Sequence, residues 1–185
     1  GTVVQAGETT KTALENYPVG GFIYFSQNIE SREQLTEMIA NVQSYSKIPL
    51  FISVDEEGGR VARLGDAGIG VTTHPPMAEI GASGDPRRAG EVGETLGRDL
   101  KELGFNMDFA PVADVITVEN NEDIGDRSFG SDPELVADMV AAEVEGMQSQ
   151  NISATPKHFP SNGSTESNTH NETGVCTRTL EEMRS

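Results

Sequence analysis

With one cysteine in 185 residues, Cys176, the chain has no internal disulfide. Tryptophan is absent and histidine occurs only three times, at His74, His158 and His170. Basic residues are scarce: 13 Lys and Arg stand against 30 Asp and Glu, a formal charge of −17. Nucleic acid and anionic membrane both demand a basic footprint, so both are excluded as partners. No apolar run approaches the ~20 residues that span a bilayer. Phosphate-binding loops are missing too, since DEEGGR is neither GxGxxG nor a Walker sequence. No HExxH or EF-hand spacing is present, so no metal and no cofactor is implied. Internal repeats, linkers and low-complexity blocks are also absent, which leaves one domain.

What is present is an alternation of two patterns. Four short, continuous apolar runs read as buried parallel strands: Gly21–Phe25, Leu50–Asp55, Asn106–Pro111 and Ile152–Phe159. Helical patterns separate them. Ser31 caps REQLTEMIANVQSYS, with Leu35, Ile39 and Val42 on one face. Asp85-Pro86 opens a helix that Gly104 closes, Asp132-Pro133 opens another, and Thr177 or Thr179 opens a last one. The order is β-α-β-α-β-α-β-α, an α/β chain with a parallel sheet. Each strand ends in polar or charged residues: Ser26-Gln27-Asn28, Asp55-Glu56-Glu57, Asp114 and Lys157-His158. Strand C-termini that all deliver such groups favour a (β/α)8 TIM-barrel type over a doubly wound sheet. A full barrel takes roughly 250 residues, so four strands make about half of one. The expectation is a fragment, residues 1–185 of a partial barrel. Its two open sheet edges offer a route to self-association.

Three stretches could carry chemistry. In VDEEGGRVARL, Asp55 ends a strand beside Arg60 and Arg63, a pairing suited to hydroxyl recognition; a strand-end turn with surface ion pairs explains it equally. In DIGDRSFGSDPELV, Asp132 is a helix cap and Arg127 is the functional candidate. In KHFPSNGSTESNTH, Lys157 and His158 can donate hydrogen bonds to a ligand, and His170 has the chemistry of a general acid/base near neutrality. A lone loop histidine is more often a surface residue. Asn162-Gly-Ser and Asn171-Glu-Thr match the glycosylation acceptor, a match that is frequent by chance.

Taken in order, GGFIYFSQNIES, PLFISVDEEGGRVARL, HPPMAEIGA, NMDFAPVADV, IGDRSFGSDPELV and KHFP…H…RTLEE resemble the N-terminal barrel of glycoside hydrolase family 3. They are closest to its β-N-acetylhexosaminidase branch, which releases terminal N-acetylglucosamine. The resemblance covers essentially the whole chain. It implies a retaining two-step displacement through a glycosyl-enzyme. Residue by residue, it places Asp55, Arg63, Arg127, Lys157 and His158 at sugar-binding positions and His170 at the acid/base. The implied partner is a β-linked N-acetylglucosamine oligosaccharide or muropeptide. The implied source is bacterial, with the compartment, cytoplasmic or exported, left open.

Departures from the family pattern carry expectations of their own. The usual KHFPGHGDT…DSH reads KHFPSNGST…NTH here. Asn168 replaces the Asp that pairs with the catalytic histidine, and a neutral partner orients an imidazole without stabilising its charge. A weaker or differently tuned acid/base follows, or a loop that uses Glu166 or Glu172 instead. The family's nucleophilic Asp falls on a later strand, so the nucleophile is expected to be absent from this chain, as is the first barrel strand. Two alternatives stand beside the hexosaminidase reading. One is a β-glucosidase or phosphorylase of the same family; the other is a degenerate carbohydrate-binding pseudo-enzyme.

Overall fold

A computed structural model describes residues 3–118, 121–165 and 173–183. Its centre is a four-stranded parallel sheet of β1 (Gly21–Ile23), β2 (Phe51–Val54), β5 (Met107–Asp108) and β6 (Ser153–Ala154). The strands lie side by side in chain order, β1-β2-β5-β6, all parallel. Each crossover adds its strand on the same side, as in a barrel; a doubly wound sheet reverses direction at a switch point. The chain is therefore about half of a barrel, as expected.

The strands are shorter than the apolar runs that announced them, and the causes are local. The Asn106 side chain accepts from Ile52 N at 2.8 Å and donates to Leu50 O at 2.9 Å, occupying the place of a ladder bond just before β5. Pro111 and Pro156 have no N–H to offer a ladder. Beyond β6 the pairing continues irregularly, through Thr155 N to Ala110 O at 2.9 Å and a Val112–Lys157 bridge.

The helices obey their caps. Ser31 Oγ accepts from Gln34 N ahead of α2 (Arg32–Tyr45). Asp85 and Asp132 do the same for α5 (Pro86–Leu103) and α6 (Pro133–Ser149), each with proline in the first turn. Gly104 ends α5 at φ 95°, a conformation that disfavours other residues. The apolar stripe of α5 (Ala89, Val92, Leu96, Leu100 and Leu103) joins Ile52, Val54, Phe105, Met139 and Met147 in the core. Tyr24 and Phe105 meet edge to face, 5.8 Å between ring centres.

Several elements depart from expectation. A helix α1 (Glu8–Asn16) precedes β1; ETTKTALEN buries only Leu14, too little for an apolar period to show. The DEEGGRVA stretch is not a bare turn. It is a hairpin of β3 (Glu56–Gly58) and β4 (Val61–Ala62), followed by the short helices α3 (Arg63–Ala67) and α4 (Met77–Gly81). The helix expected from Thr177 or Thr179 is, among the described residues, only a turn. Thr179 Oγ1 and N both donate to Glu182, and Met183 N reaches Thr179 O. Residues 177–183 are all exposed, so the turn has no buried face to sustain a helix there.

The α5–α6 contact is a backbone contact. A Cβ added at Gly93 would sit 2.2 Å from Glu143 O, and one at Gly146 would sit 2.4 Å from Gly90 O. Gly93→Ala is therefore expected to cost about 2–3 kcal/mol by forcing the helices apart. Gly20→Ala, with nothing within 4 Å of the new methyl, should change stability by about 0.5 kcal/mol or less. Urea titration of both variants checks this, and equal losses would refute the close-approach explanation.

A second prediction concerns Glu143 on α6, fully buried with neither carboxyl oxygen hydrogen-bonded among the described residues. Burial first, and the like charge of Glu57 second, push its carboxyl up from 4.5 to about 8. Between those values the folded chain keeps a proton that the unfolded chain has lost. Stability therefore falls as pH rises through this window, and the loss is complete above it. Glu143→Met, close in length and uncharged, should raise stability at pH 8 relative to pH 5 by on the order of 3 kcal/mol. Denaturant midpoints at the two pH values measure this; an unaltered pH slope would sink it.

Candidate active site

The ends of β2 and β6 and the loops after them bring five sequence-predicted residues together. Asp55, one residue past β2, accepts from Lys157 Nζ at the end of the β6 run and lies 3.6 Å from Arg63 Nη2. Arg127 enters from the loop before α6. It meets the Glu57 carboxylate with two parallel bonds, Nε and Nη2 each at 2.8 Å. Lys157 Nζ also contacts Glu57 Oε1. His158 lies with its Nε2 3.4 Å from Arg127 Nη2 and its Nδ1 2.6 Å from Asp114 Oδ2. The five described residues of the predicted site thus form one continuous cluster of hydrogen bonds and ion pairs. His170 and Asn168, with Glu166 and Glu172, lie outside the described residues.

Two members were legible only as strand-end acids. The side chain of Glu57 is 1% exposed and that of Asp114 is fully buried. Both are anions in an interior that tolerates them only with partners. Burial works to raise the Glu57 carboxyl, but the Arg127 fork and Lys157 outweigh it and hold it below the usual range. Burial likewise opposes ionisation of Asp114, and hydrogen bonds from His158, Asn162 and Ser161 again prevail. A buried acid needs a named cation, and reading Arg127 or Lys157 as functional could have prompted a search for it.

Neighbouring groups are structural. Glu56 faces away from the cluster and accepts from Leu64 N at 2.7 Å and Gly65 N at 3.1 Å. It caps α3, where Ala62 has no side chain to do so. Burial pushes its carboxyl up to about 7. Arg60 binds the carbonyls of Glu122, Asp123 and Ile124 and pairs with Asp126, which braces the Arg127 loop. Ser26-Gln27-Asn28 does not reach the cluster. Asn28 instead accepts from Phe25 N and donates to Val3 O.

Chemically, the cluster is a rigid array of guanidinium, ammonium and imidazole donors around acceptor carboxylates. Asp55 keeps 20% of its side chain exposed, Arg63 31% and His158 29%, so these groups can meet a ligand. Asp55, Glu57 and Asp114 each already hold a cation or a histidine, a state suited to recognition of hydroxyl and amide groups rather than to nucleophilic attack. Among the described residues, no group of His, Cys, Asp and Glu is arranged to hold a metal ion.

Comparison with known proteins shows the family. Residues 2–185 match the model of the glycosyl hydrolase family 3 N-terminal domain. A β-hexosaminidase from Nitrosomonas eutropha is 38% identical over 177 residues, covering 92% of this chain and 50% of that protein. A family 3 β-N-acetylglucosaminidase from Paenibacillus sp. FPU-7 superposes with a TM-score of 0.92 at 35% identity, over 100% of this chain and 35% of that one. NagZ from Neisseria gonorrhoeae, solved in complex with N-trifluoroacetyl-D-glucosamine, superposes with a TM-score of 0.90 at 32% identity, over 100% of this chain and 55% of that one. The chain spans about half the length of the curated relatives it matches. A four-stranded half of a parallel barrel, with its cluster at the strand ends and this set of relatives, belongs to the glycosyl hydrolase family 3 N-terminal domain.

Proposed function

We propose that this chain forms the sugar-binding half of a retaining exo-β-N-acetylhexosaminidase acting on terminal β-N-acetylglucosamine. The observation that carries the reading is the convergence of Asp55, Arg63, Arg127, Lys157 and His158 on one strand-end cluster with a pre-paired, partly exposed surface. Relatives named β-hexosaminidase and β-N-acetylglucosaminidase support the substrate class. In this reading the five residues orient the sugar. His170 protonates the departing glycosidic oxygen as the nucleophile attacks the anomeric carbon. It then takes a proton from the water that releases the sugar. Asn168 orients His170 without adding charge. The nucleophile, which the family resemblance puts on a later strand, is not among these 185 residues in this reading. The open edges of β1 and β6 are pairing surfaces, and Ile23 and Phe25 at the β1 edge are exposed.

A second reading, a sugar binder without catalysis, draws on Asn168 and the altered SNGS sequence after KHFP. Hydrolysis separates the two. The intact polypeptide is expected to prefer an aryl β-N-acetylglucosaminide over the matching β-glucoside. His170→Ala should lower kcat on a poor leaving group by about 10²–10⁴, and Arg63→Ala should weaken substrate binding. Binding of N-acetylglucosamine without turnover of either substrate would establish the second reading.

The 185-residue chain alone is expected to bind N-acetylglucosamine without hydrolysing its aryl glycoside; normal hydrolysis with a trapped glycosyl-enzyme would refute the absent nucleophile. Sedimentation of this chain should show concentration-dependent dimers through the open edges. A monomer at all concentrations would remove that part of the proposal.

A further inference from the structure

Asp114 is not one of the five residues proposed to bind sugar, yet it is the most heavily bonded carboxylate of the cluster. Its Oδ2 accepts from His158 N at 3.1 Å and from His158 Nδ1 at 2.6 Å. Its Oδ1 accepts from Ser161 Oγ at 2.9 Å, from Asn162 N, and from Gly163 N at 3.1 Å. The carboxylate stands between the His158 ring and the first turn of the loop that runs on toward His170.

The loop base is docked on the same strand end by further contacts. Thr117 N donates to Gly163 O at 3.1 Å. Asn121 Nδ2 donates to Asn162 O at 2.7 Å and to Thr165 O at 3.0 Å. A Cβ at Gly163 would fall 2.1 Å from Val115 O, so the loop backbone lies directly on the segment after Asp114. The two faces of the His158 ring demand one tautomer. A carboxylate at Nδ1 requires a donor there, and the Arg127 guanidinium at Nε2, 3.4 Å away, requires an acceptor.

We propose that Asp114 is a positioning residue that sets His158 in its Nδ1–H tautomer and, through its other oxygen, anchors residues 161–163, so that the sugar-facing imidazole and the base of the histidine loop share one fixed point. The ring's Nε2 lone pair is thereby turned to Arg127 and the ligand side. The anchoring rests on geometry alone; its effect on turnover rests on the hydrolase reading.

The test begins without mutation. In chain labelled with ¹⁵N-histidine, long-range imidazole correlations at neutral pH should show His158 protonated at Nδ1, with His74→Gln and His170→Gln used for assignment. An Nε2–H form in the wild-type chain overturns the proposal whether or not any variant folds. In Asp114→Asn, an NH2 group must replace one of the two oxygens, and both face donors. Either His158 shifts to the Nε2–H tautomer, or the amides of Asn162 and Gly163 lose at least tenfold of their exchange protection. Ser161→Ala, which removes one loop bond and spares the carboxylate, should leave the tautomer unchanged. Unchanged tautomer and unchanged protection in Asp114→Asn would refute the anchor. In the intact polypeptide, Asp114→Asn should also lower kcat/KM at least tenfold and change its pH profile. If wild type shows no turnover, the hydrolase reading fails while the imidazole spectra still decide the anchor.

Discussion

One buried carboxylate, Glu57, holds three remote pieces of chain at a single point. It sits just after the second strand, receives both arms of Arg127 from the loop before α6, and touches Lys157 beyond β6. Removing both cations would strand an anion in the interior, which proteins tolerate poorly, and removing one leaves the other to compensate it alone. The contact therefore ties the strand ends together. Asp55, drawn in through Lys157, and Arg63, drawn in through Asp55, inherit their positions from this contact. Asp114 does the same on the other flank with neutral donors. The site is built from acids that orient bases, with only the outer members left to face solvent.

The helices serve this arrangement by fixing the sheet. The α5–α6 pair packs backbone to backbone through glycine, which brings the loop carrying Arg127 close over the strand ends. Glu143 points inward from that pair, a carboxyl with no partner among the described residues. Asp108 shares the same interior, and its Oδ1 accepts from Glu56 N at 3.0 Å. Burial raises the carboxyls of Glu143 and Asp108, while the cations on Glu57 and the many hydrogen bonds on Asp114 hold those two below the usual range. The difference between the two sets is how many donors reach them.

Much of the fold could be read from caps and apolar runs because those signals are local. Ser31, Asp85-Pro86, Gly104 and Asp132-Pro133 each act within a turn of their own position, and each marks the boundary the structure shows. Strand lengths were less legible, since Asn106, Pro111 and Pro156 end ladders through a neighbouring strand that a linear reading does not display. The same limit hid α1, with a single buried leucine, and the β3–β4 hairpin, whose strands of three and two residues are too short to alternate. For the site, motif resemblance singled out five residues that the fold does bring together. Glu57 and Asp114 passed as strand-end punctuation because their partners lie 70 and 44 residues away along the chain.

The scarcity of positive charge has a consequence for what the cluster can attract. Four of the chain's 13 basic residues, Arg60, Arg63, Arg127 and Lys157, stand in or beside it, each against at least one carboxylate. The site is a nearly neutral island on a molecule of net charge −17. Long-range fields decay within about 10 Å at 0.1 M salt, and an uncharged sugar does not feel them at all. Its capture would be indifferent to ionic strength. An anionic ligand would meet repulsion on approach that added salt relieves, so the surface discriminates by charge before the cluster is reached.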